Sequence, residues 1–213
     1  DAQLAPYAAE FPDIHADWLP RLTRIAIALV DWEYARRDGL ARVHVELKGE
    51  MEIPLGGDTC TLSARADRIE QRRDGGVTAL DFKSGKPPSA REIGVGFSPQ
   101  LTLEAAILMQ GGFKEIGPVG ETPELVYVRA SGGREALTET IVKPDRNDAR
   151  AMPEIIEDHV TRLRGLVARF IKGELGYMSR PYPQFARKYN DYDHLARVAE
   201  WSASGGGGEG EGA

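Results

Sequence analysis

Hydrophobic positions follow two rhythms along this chain. From about Ala16 to Arg37 the apolar residues Trp18, Leu22, Ile25, Leu29 and Trp32 recur at steps of three and four, the period of an amphipathic helix. Gly39 follows as a stop signal. The run Ile25-Ala26-Ile27-Ala28-Leu29-Val30 inside it reads as a buried helix stripe. The period then changes to two. Val43, Val45 and Leu47 alternate with polar residues, and the pattern continues through Met51 and Ile53, which predicts a strand. Pro54 to Asp58 is a Gly-rich turn, Thr61 to Gln71 a second strand, Asp74-Gly75-Gly76 a hairpin turn and Val77 to Phe82 a third strand. Ser84-Gly85-Lys86-Pro87-Pro88 breaks the chain into a loop. Pro99 to Met109 is helical, with Leu101, Ala105 and Leu108 along one side and Pro99 near the first turn. Leu125 to Arg129 and Leu137 to Val142 are strands on either side of Ser131-Gly132-Gly133. Ala149 to Lys172 is a long helix closed by Gly173; Glu154, Glu157 and Asp158 near its start suit the helix dipole. The order α-β-β-β-α-β-β-α predicts an α/β domain with a mixed sheet flanked by helices, over residues 1–201. Ser202 to Ala213 is Gly- and Glu-rich, with no apolar residue beyond alanine, and is expected to be a disordered tail.

Composition narrows the class. A length of 213 residues suffices for one sizeable domain, and 41% hydrophobic with 28% charged residues is ordinary for a soluble protein. No apolar run is long enough to cross a bilayer, so no membrane partner is expected. The acidic start lacks the basic and apolar segments of a secretory signal. The chain begins with Asp1 rather than Met, as expected of a piece of something longer. Cys60 is the only cysteine, which excludes an internal disulfide and any multi-cysteine zinc or iron–sulfur site within the chain and suits a reducing cytoplasm. The net charge of −6 argues against strong nucleic-acid binding unless a basic groove is local; clustered metal ligands would themselves add negative charge.

The candidate chemistry lies in two segments, Ser63-Ala64-Arg65-Ala66-Asp67-Arg68-Ile69-Glu70 and Ala79-Leu80-Asp81-Phe82-Lys83-Ser84-Gly85. Residues two apart on a strand point to one face, so Asp81 and Lys83 project together while Phe82 turns away. Two carboxylates and an ammonium suit a divalent cation, a water and a phosphate: the carboxylates hold the cation through oxygen, the cation polarises phosphorus and acidifies water, and the ammonium steadies developing charge. On residue types alone, a metal nuclease and a solvated hairpin edge both remain open.

Ala66-Asp67-Arg68-Ile69, then Leu80-Asp81-Phe82-Lys83-Ser84-Gly85-Lys86, then Pro99-Gln100-Leu101 resembles the PD-(D/E)xK nucleases of the RecB type, in which an Asp-Arg-Ile element, an Asp-aromatic-Lys-[Ser/Thr]-Gly-Lys element and a Gln-Leu at a helix start occur in this order. The resemblance implies a restriction-endonuclease-like fold and Mg²⁺- or Mn²⁺-dependent cleavage of DNA. By this resemblance Asp67 and Asp81 are metal-binding aspartates, the Phe82 carbonyl a backbone metal ligand, Lys83 the catalytic lysine and Gln100 a helix residue that positions the lysine or the DNA strand. Glu46 on the first core strand and Arg68 are supporting residues. Within the superfamily, Tyr192-Asp193-His194-Leu195-Ala196-Arg197-Val198-Ala199-Glu200-Trp201 resembles the C-terminal end of the AddB family. That implies an exonuclease domain in a double-strand-break repair helicase–nuclease, partnered by an AddA-like subunit. The alternative is a catalytically inactive nuclease-fold module that binds DNA or serves as a scaffold in the same complex. A Cas4-like exonuclease ranks lower, because its cysteine clusters are absent.

The chain departs from the family pattern in three places. No Gly-x-x-x-His helix supplies the further ligand; His15 lacks that context, and the matching position is expected upstream of Asp1. Glu104 stands where the family often has Tyr after the Gln-Leu. Pro181 to Asp193 has none of the cysteines that hold an iron–sulfur cluster in many AddB proteins, so no such cluster is expected, and Tyr182, Phe185, Tyr189 and Tyr192 are expected to pack that end instead. Among other polar residues, Arg68 reads either as a phosphate contact or as a surface charge pair with Glu70, and Arg65 as a surface pair. Ser84 reads as a turn cap and Lys86 as solvated. His44, His159 and His194 read as structural, and Arg162, Arg164 and Arg169 as an ordinary polar helix face.

Overall fold

The structure, a computed structural model, describes residues 11–176. The tail, the AddB-like segment and the aromatics from Tyr182 to Tyr192 lie outside the described residues. The elements run α1 (Pro12–Arg37), β1 (Leu40–Pro54), β2 (Thr59–Arg72), β3 (Val77–Lys83), α2 (Ala90–Gly94), α3 (Gln100–Met109), β4 (Glu124–Ala130), β5 (Leu137–Ile141) and α4 (Met152–Ile171). The predicted order holds. The one addition is α2, five residues long, whose capping box sits at Ser89 and Glu92. The chain divides into two compact units, Asp1–Val167 and Ala168–Ala213; the whole sheet belongs to the first.

The strands form one five-stranded sheet in the order β1-β2-β3-β4-β5. Three of the neighbouring pairs are antiparallel, and β3 with β4 is parallel. A parallel neighbour requires a crossover, and α2 and α3 supply it. This is the mixed sheet with flanking helices of a restriction-endonuclease-like fold.

Alternation along the inner strands assigns a core to each face of the sheet. Ala79 and Asp81 on β3 and Leu125 and Tyr127 on β4 lie on one face, where Ala79, Leu125 and Tyr127 pack with Leu101, Ala105 and Leu108 of α3 and Ile156 and Val160 of α4. Leu80, Val126 and Val128 lie on the other, against Trp32 of α1 and Leu137 of β5. Burial of an aliphatic side chain of this size stabilises by about 1.5–3 kcal/mol, so the larger first cluster anchors the fold.

The expected buried stripe in α1 is not present. No residue of α1 is buried; Ile27 is 61% and Val30 53% exposed. The helix docks mainly through charge. Arg36 bonds both oxygens of Glu70, at 3.1 and 2.6 Å, and Arg68 donates to Glu70 at 2.8 Å and to Glu33. Arg36 and Arg68 also lie over the Trp32 ring, 4.8 and 5.0 Å from its centre. Glu70 and Arg68 are buried, so the pair with Glu70 is internal rather than on the surface. Stripping one partner from such a buried set leaves an uncompensated charge and typically costs about 3–5 kcal/mol.

The long β1–β2 hairpin has one irregularity. Ala66 and Ile69 both belong to the main core although they are three apart, so strict alternation slips between them. Asp67 lies within this slip. Across from it Glu46, between the ladder pairs Val45↔Arg68 and Leu47↔Ala66, has φ of 52°, the left-handed region that non-glycine residues rarely adopt.

The turn after α3 fixes the hairpin to the rest of the domain. The Glu50 N–H donates to the Gly112 carbonyl at 3.1 Å, and a Cβ at Gly112 would sit 2.1 Å from the Glu50 carbonyl oxygen. Since the clash is with backbone, Gly112→Ala should destabilise the fold by about 1–3 kcal/mol. The check is the midpoint of urea unfolding; an unchanged midpoint would mean that this turn is free to move away from β1.

Candidate active site

The site begins where a ladder ends. β2 and β3 pair from Gln71↔Val77 to Arg68↔Leu80, and one further step would set Asp67 across from Asp81. Instead the Asp67 carboxylate accepts the Phe82 N–H at 2.8 Å. Asp81 and Lys83 share the face covered by α3, with Lys83 Nζ 2.7 Å from Asp81 Oδ2. Phe82 points the other way, and its ring meets Trp32 edge-on at 6.1 Å.

Gln100, the first residue of α3, ties these groups together. Its Oε1 accepts from Lys83 Nζ at 3.1 Å, and its Nε2 donates to Asp81 Oδ1 and, at 3.2 Å, to Glu104 Oε1. An ammonium only donates and a carboxylate only accepts, so this amide has one orientation that satisfies all three partners. Asp67, Asp81, Lys83 and Gln100 are thus brought together, and Phe82 joins the cluster through its backbone N–H. Glu46 does not join: its exposed carboxylate pairs with Arg65 at 3.3 Å. Arg68 faces Glu70 and Glu33 on the opposite side of the sheet. His159 is buried against Thr102 at 2.7 Å, His44 bonds Gln71 at 3.2 Å and Arg162 pairs with Asp158 at 2.9 Å.

Sequence reasoning noted Glu104 only as a departure from a family pattern. It is a buried member of the cluster, 3% exposed, and its Oε2 has no hydrogen-bond partner among the described residues. The signal was present: Glu104 is the one acid in the otherwise apolar helix Gln100-Leu101-Thr102-Leu103-Glu104-Ala105-Ala106-Ile107-Leu108-Met109, one turn after Gln100. Burial pushes its carboxyl up to about 7, against the Gln100 hydrogen bond, and the charges of Asp81 and Asp67 push the same way. Burial likewise raises the Asp81 carboxyl, with Lys83 opposing and Asp67 adding to the rise. Burial raises the Tyr127 hydroxyl too, reinforced by Asp81 and Glu104.

The sequence model of the PD-(D/E)XK nuclease superfamily matches residues 2–185. The chain belongs to this superfamily. Among curated relatives it is 28% identical over 190 residues to an uncharacterized protein of Rickettsia bellii (strain RML369-C), covering 84% of this chain and 22% of that protein. It is likewise 28% identical to an uncharacterized protein of Rickettsia conorii (strain ATCC VR-613 / Malish 7), covering 84% and 23%. The chain thus spans less than a quarter of these relatives' length. A solved structure, "Crystal structure of SSO0001", is similar at 12% identity and a TM-score of 0.39 over 87% of this chain and 82% of that one.

PD-(D/E)XK nucleases generally use Mg²⁺ or Mn²⁺, and the donors here fit such an ion. All are hard oxygens, and the buried Glu104 Oε2, which has no hydrogen-bond partner among the described residues, leaves acceptor capacity beside Asp81. Among the described residues no three His, Cys, Asp or Glu side chains converge on one point. Among the described residues no helix is long and apolar enough to cross a membrane.

The Glu104 shift has a sign that can be tested. A carboxyl raised from 4.5 to about 7 on folding weakens the fold progressively as pH climbs from 4.5 to 7, fully above 7 and not at all below 4.5. The penalty is on the order of 3 kcal/mol. In EDTA, Glu104→Gln should therefore be more stable than the parent chain at pH 8 by roughly that amount and by less than about 1 kcal/mol at pH 5. Urea unfolding at the two pH values checks this; a pH-independent difference would place Glu104 outside the cluster's field.

Proposed function

We propose that this domain is a metal-dependent deoxyribonuclease that hydrolyses DNA phosphodiester bonds, acting as an exonuclease within a longer protein of the AddB type. One observation carries the reading: Asp67, Asp81 and Lys83, from neighbouring strands, meet at one spot with Gln100 bridging Lys83 and Asp81. The resemblance of Tyr192 to Trp201 to AddB, and the much greater length of the relatives, support a parent protein with further domains. An AddA-like helicase–nuclease subunit is then the natural partner, in the cytoplasm.

In this mechanism Asp67 and Asp81 would hold the cation, with the Phe82 carbonyl as a further oxygen donor. When bound, Mg²⁺ or Mn²⁺ acidifies a water and polarises the phosphate. The Phe82 N–H holds the Asp67 carboxylate in place. Lys83 orients the water that attacks phosphorus and offsets the charge that develops on the phosphoryl oxygens; attack that expels the 3′ oxygen leaves a 5′-phosphate. Gln100 keeps the Lys83 ammonium beside Asp81 rather than loose in solvent. Glu46, paired with Arg65 on β1, has no step in this mechanism. Arg68 holds α1 from the other face of the sheet, through Glu70 and Glu33, and takes no part in this step.

Asp81→Ala should abolish cleavage of single-stranded DNA in Mn²⁺, and Lys83→Ala should lower kcat by roughly 10²–10³-fold, both with native circular dichroism. Calorimetric Mn²⁺ binding should be lost in Asp81→Ala and kept in Lys83→Ala. Folded parent chain that neither binds Mn²⁺ nor cuts DNA, alone or in the longer protein, would identify a catalytically silent DNA-binding or scaffold module instead.

A further inference from the structure

The strand register extends the site sideways, away from the carboxylates. β3 and β4 are parallel, with Asp81 beside Tyr127 and Lys83 beside Arg129. β4 and β5 are antiparallel, with Arg129 across from Thr138 and Tyr127 across from Thr140. Paired positions on adjacent strands share a face, and neighbouring strands lie about 4.8 Å apart. An ammonium, a guanidinium and a hydroxyl thus stand in a row across three strands, on the face that carries Asp81. The Lys83 ammonium leans back toward the Asp81 row, 2.7 Å from Asp81 and 5.9 Å from the centre of the Tyr127 ring.

The acids of β4 and β5 are sorted to the other face. Glu124 pairs in register with Thr78, and its carboxylate lies 3.7 Å from Arg72. Glu139 sits across from Val128 and binds Trp32 and Arg36 on the α1 side. Arg129 is exposed and has no ion pair among the described residues. Lys83, by contrast, is committed to Asp81 and Gln100. Arg129 is therefore the uncommitted cation of this row in a chain whose total charge is −6, one strand away from the proposed site of cleavage.

We propose that Arg129, with Thr138 beyond it, binds the DNA backbone phosphate next to the scissile one, so that the substrate strand crosses the sheet from β3 towards β5. This rests on the nuclease reading for the identity of the substrate. A guanidinium suits the task, because its planar fork can bond two phosphate oxygens at once. Arg129 is a substrate-binding residue here; it does not touch the carboxylate cluster.

The test measures binding separately from cleavage. With a fluorescein-labelled single-stranded oligonucleotide in EDTA, Arg129→Gln should weaken binding roughly tenfold. It should also lower the slope of log Kd against log salt by about 0.7, the value of one lost single-strand phosphate contact. Arg129→Lys should restore the slope. In Mn²⁺, the loss in Arg129→Gln should appear in KM rather than kcat. An oligonucleotide with one neutral methylphosphonate beside the cleaved bond should bind the parent chain roughly tenfold more weakly, with no further loss in Arg129→Gln. Equal affinity and equal slope in parent and Arg129→Gln would overturn the proposal, as would an undiminished methylphosphonate penalty in the variant. The two readings fail separately. A slope difference in a chain that never cleaves DNA sinks the chemistry and keeps the phosphate contact; normal cleavage with no Arg129 effect does the reverse.

Discussion

The geometry of this domain turns on one hydrogen bond that replaces a rung of the sheet. Between β2 and β3 the backbone ladder stops at Arg68 and Leu80, and the Asp67 side chain takes the Phe82 N–H. A backbone donor at a strand end needs a partner; here a carboxylate satisfies it. The same bond pins Asp67 beside the strand that carries Asp81 and Lys83. Were the ladder to continue, Asp67 would stand as an ordinary paired residue, and its carboxylate would have no fixed place next to Asp81. The slip in alternation at Asp67, facing the left-handed Glu46, marks the place where the hairpin gives up regularity.

Charge is partitioned by the sheet. On one face three carboxylates, Lys83 and Gln100 form a network in which burial, with a smaller push from neighbouring carboxylates, raises the proton affinity of Asp81 and Glu104. On the other, Arg36 and Arg68 pair with Glu70, Glu33 and Glu139 and dock α1. Strand periodicity does this sorting: Arg68 and Asp67 are adjacent in sequence, as are Asp81 and Phe82, yet each pair is divided between the two sides. The residues that resemble a nuclease motif therefore do two jobs, and Arg68 belongs to the structural one.

Much of this could be read from the chain. The period-two alternation around Asp67 and Asp81, with a turn at Asp74-Gly75-Gly76, was enough to place them on adjoining strands, and Gln100 at a helix start followed from Pro99. The α/β order and the mixed sheet followed from the same patterns. Three things were hidden. The α1 run from Ile25 to Val30 suggested burial, but periodicity does not say how deep a helix sits, and this one is held by guanidinium–carboxylate pairs formed with residues more than thirty positions away. Glu46 lies in strand context, yet its backbone twist turns the carboxylate to Arg65, and no local pattern announces a left-handed residue. Glu104 looked like a substitution on a helix, and its meaning came only from the packing of α3 over Asp81.

The edge contact between Phe82 and Trp32 has an optical consequence. Phe82 is the residue between Asp81 and Lys83, and the indole it touches is flanked by two guanidinium groups. A ligand that displaced the end of β3 would move this phenyl ring too, and with it the packing around the indole on the reverse side of the sheet. The domain thus carries its own fluorophore, wired mechanically to the strand that bears its reactive groups.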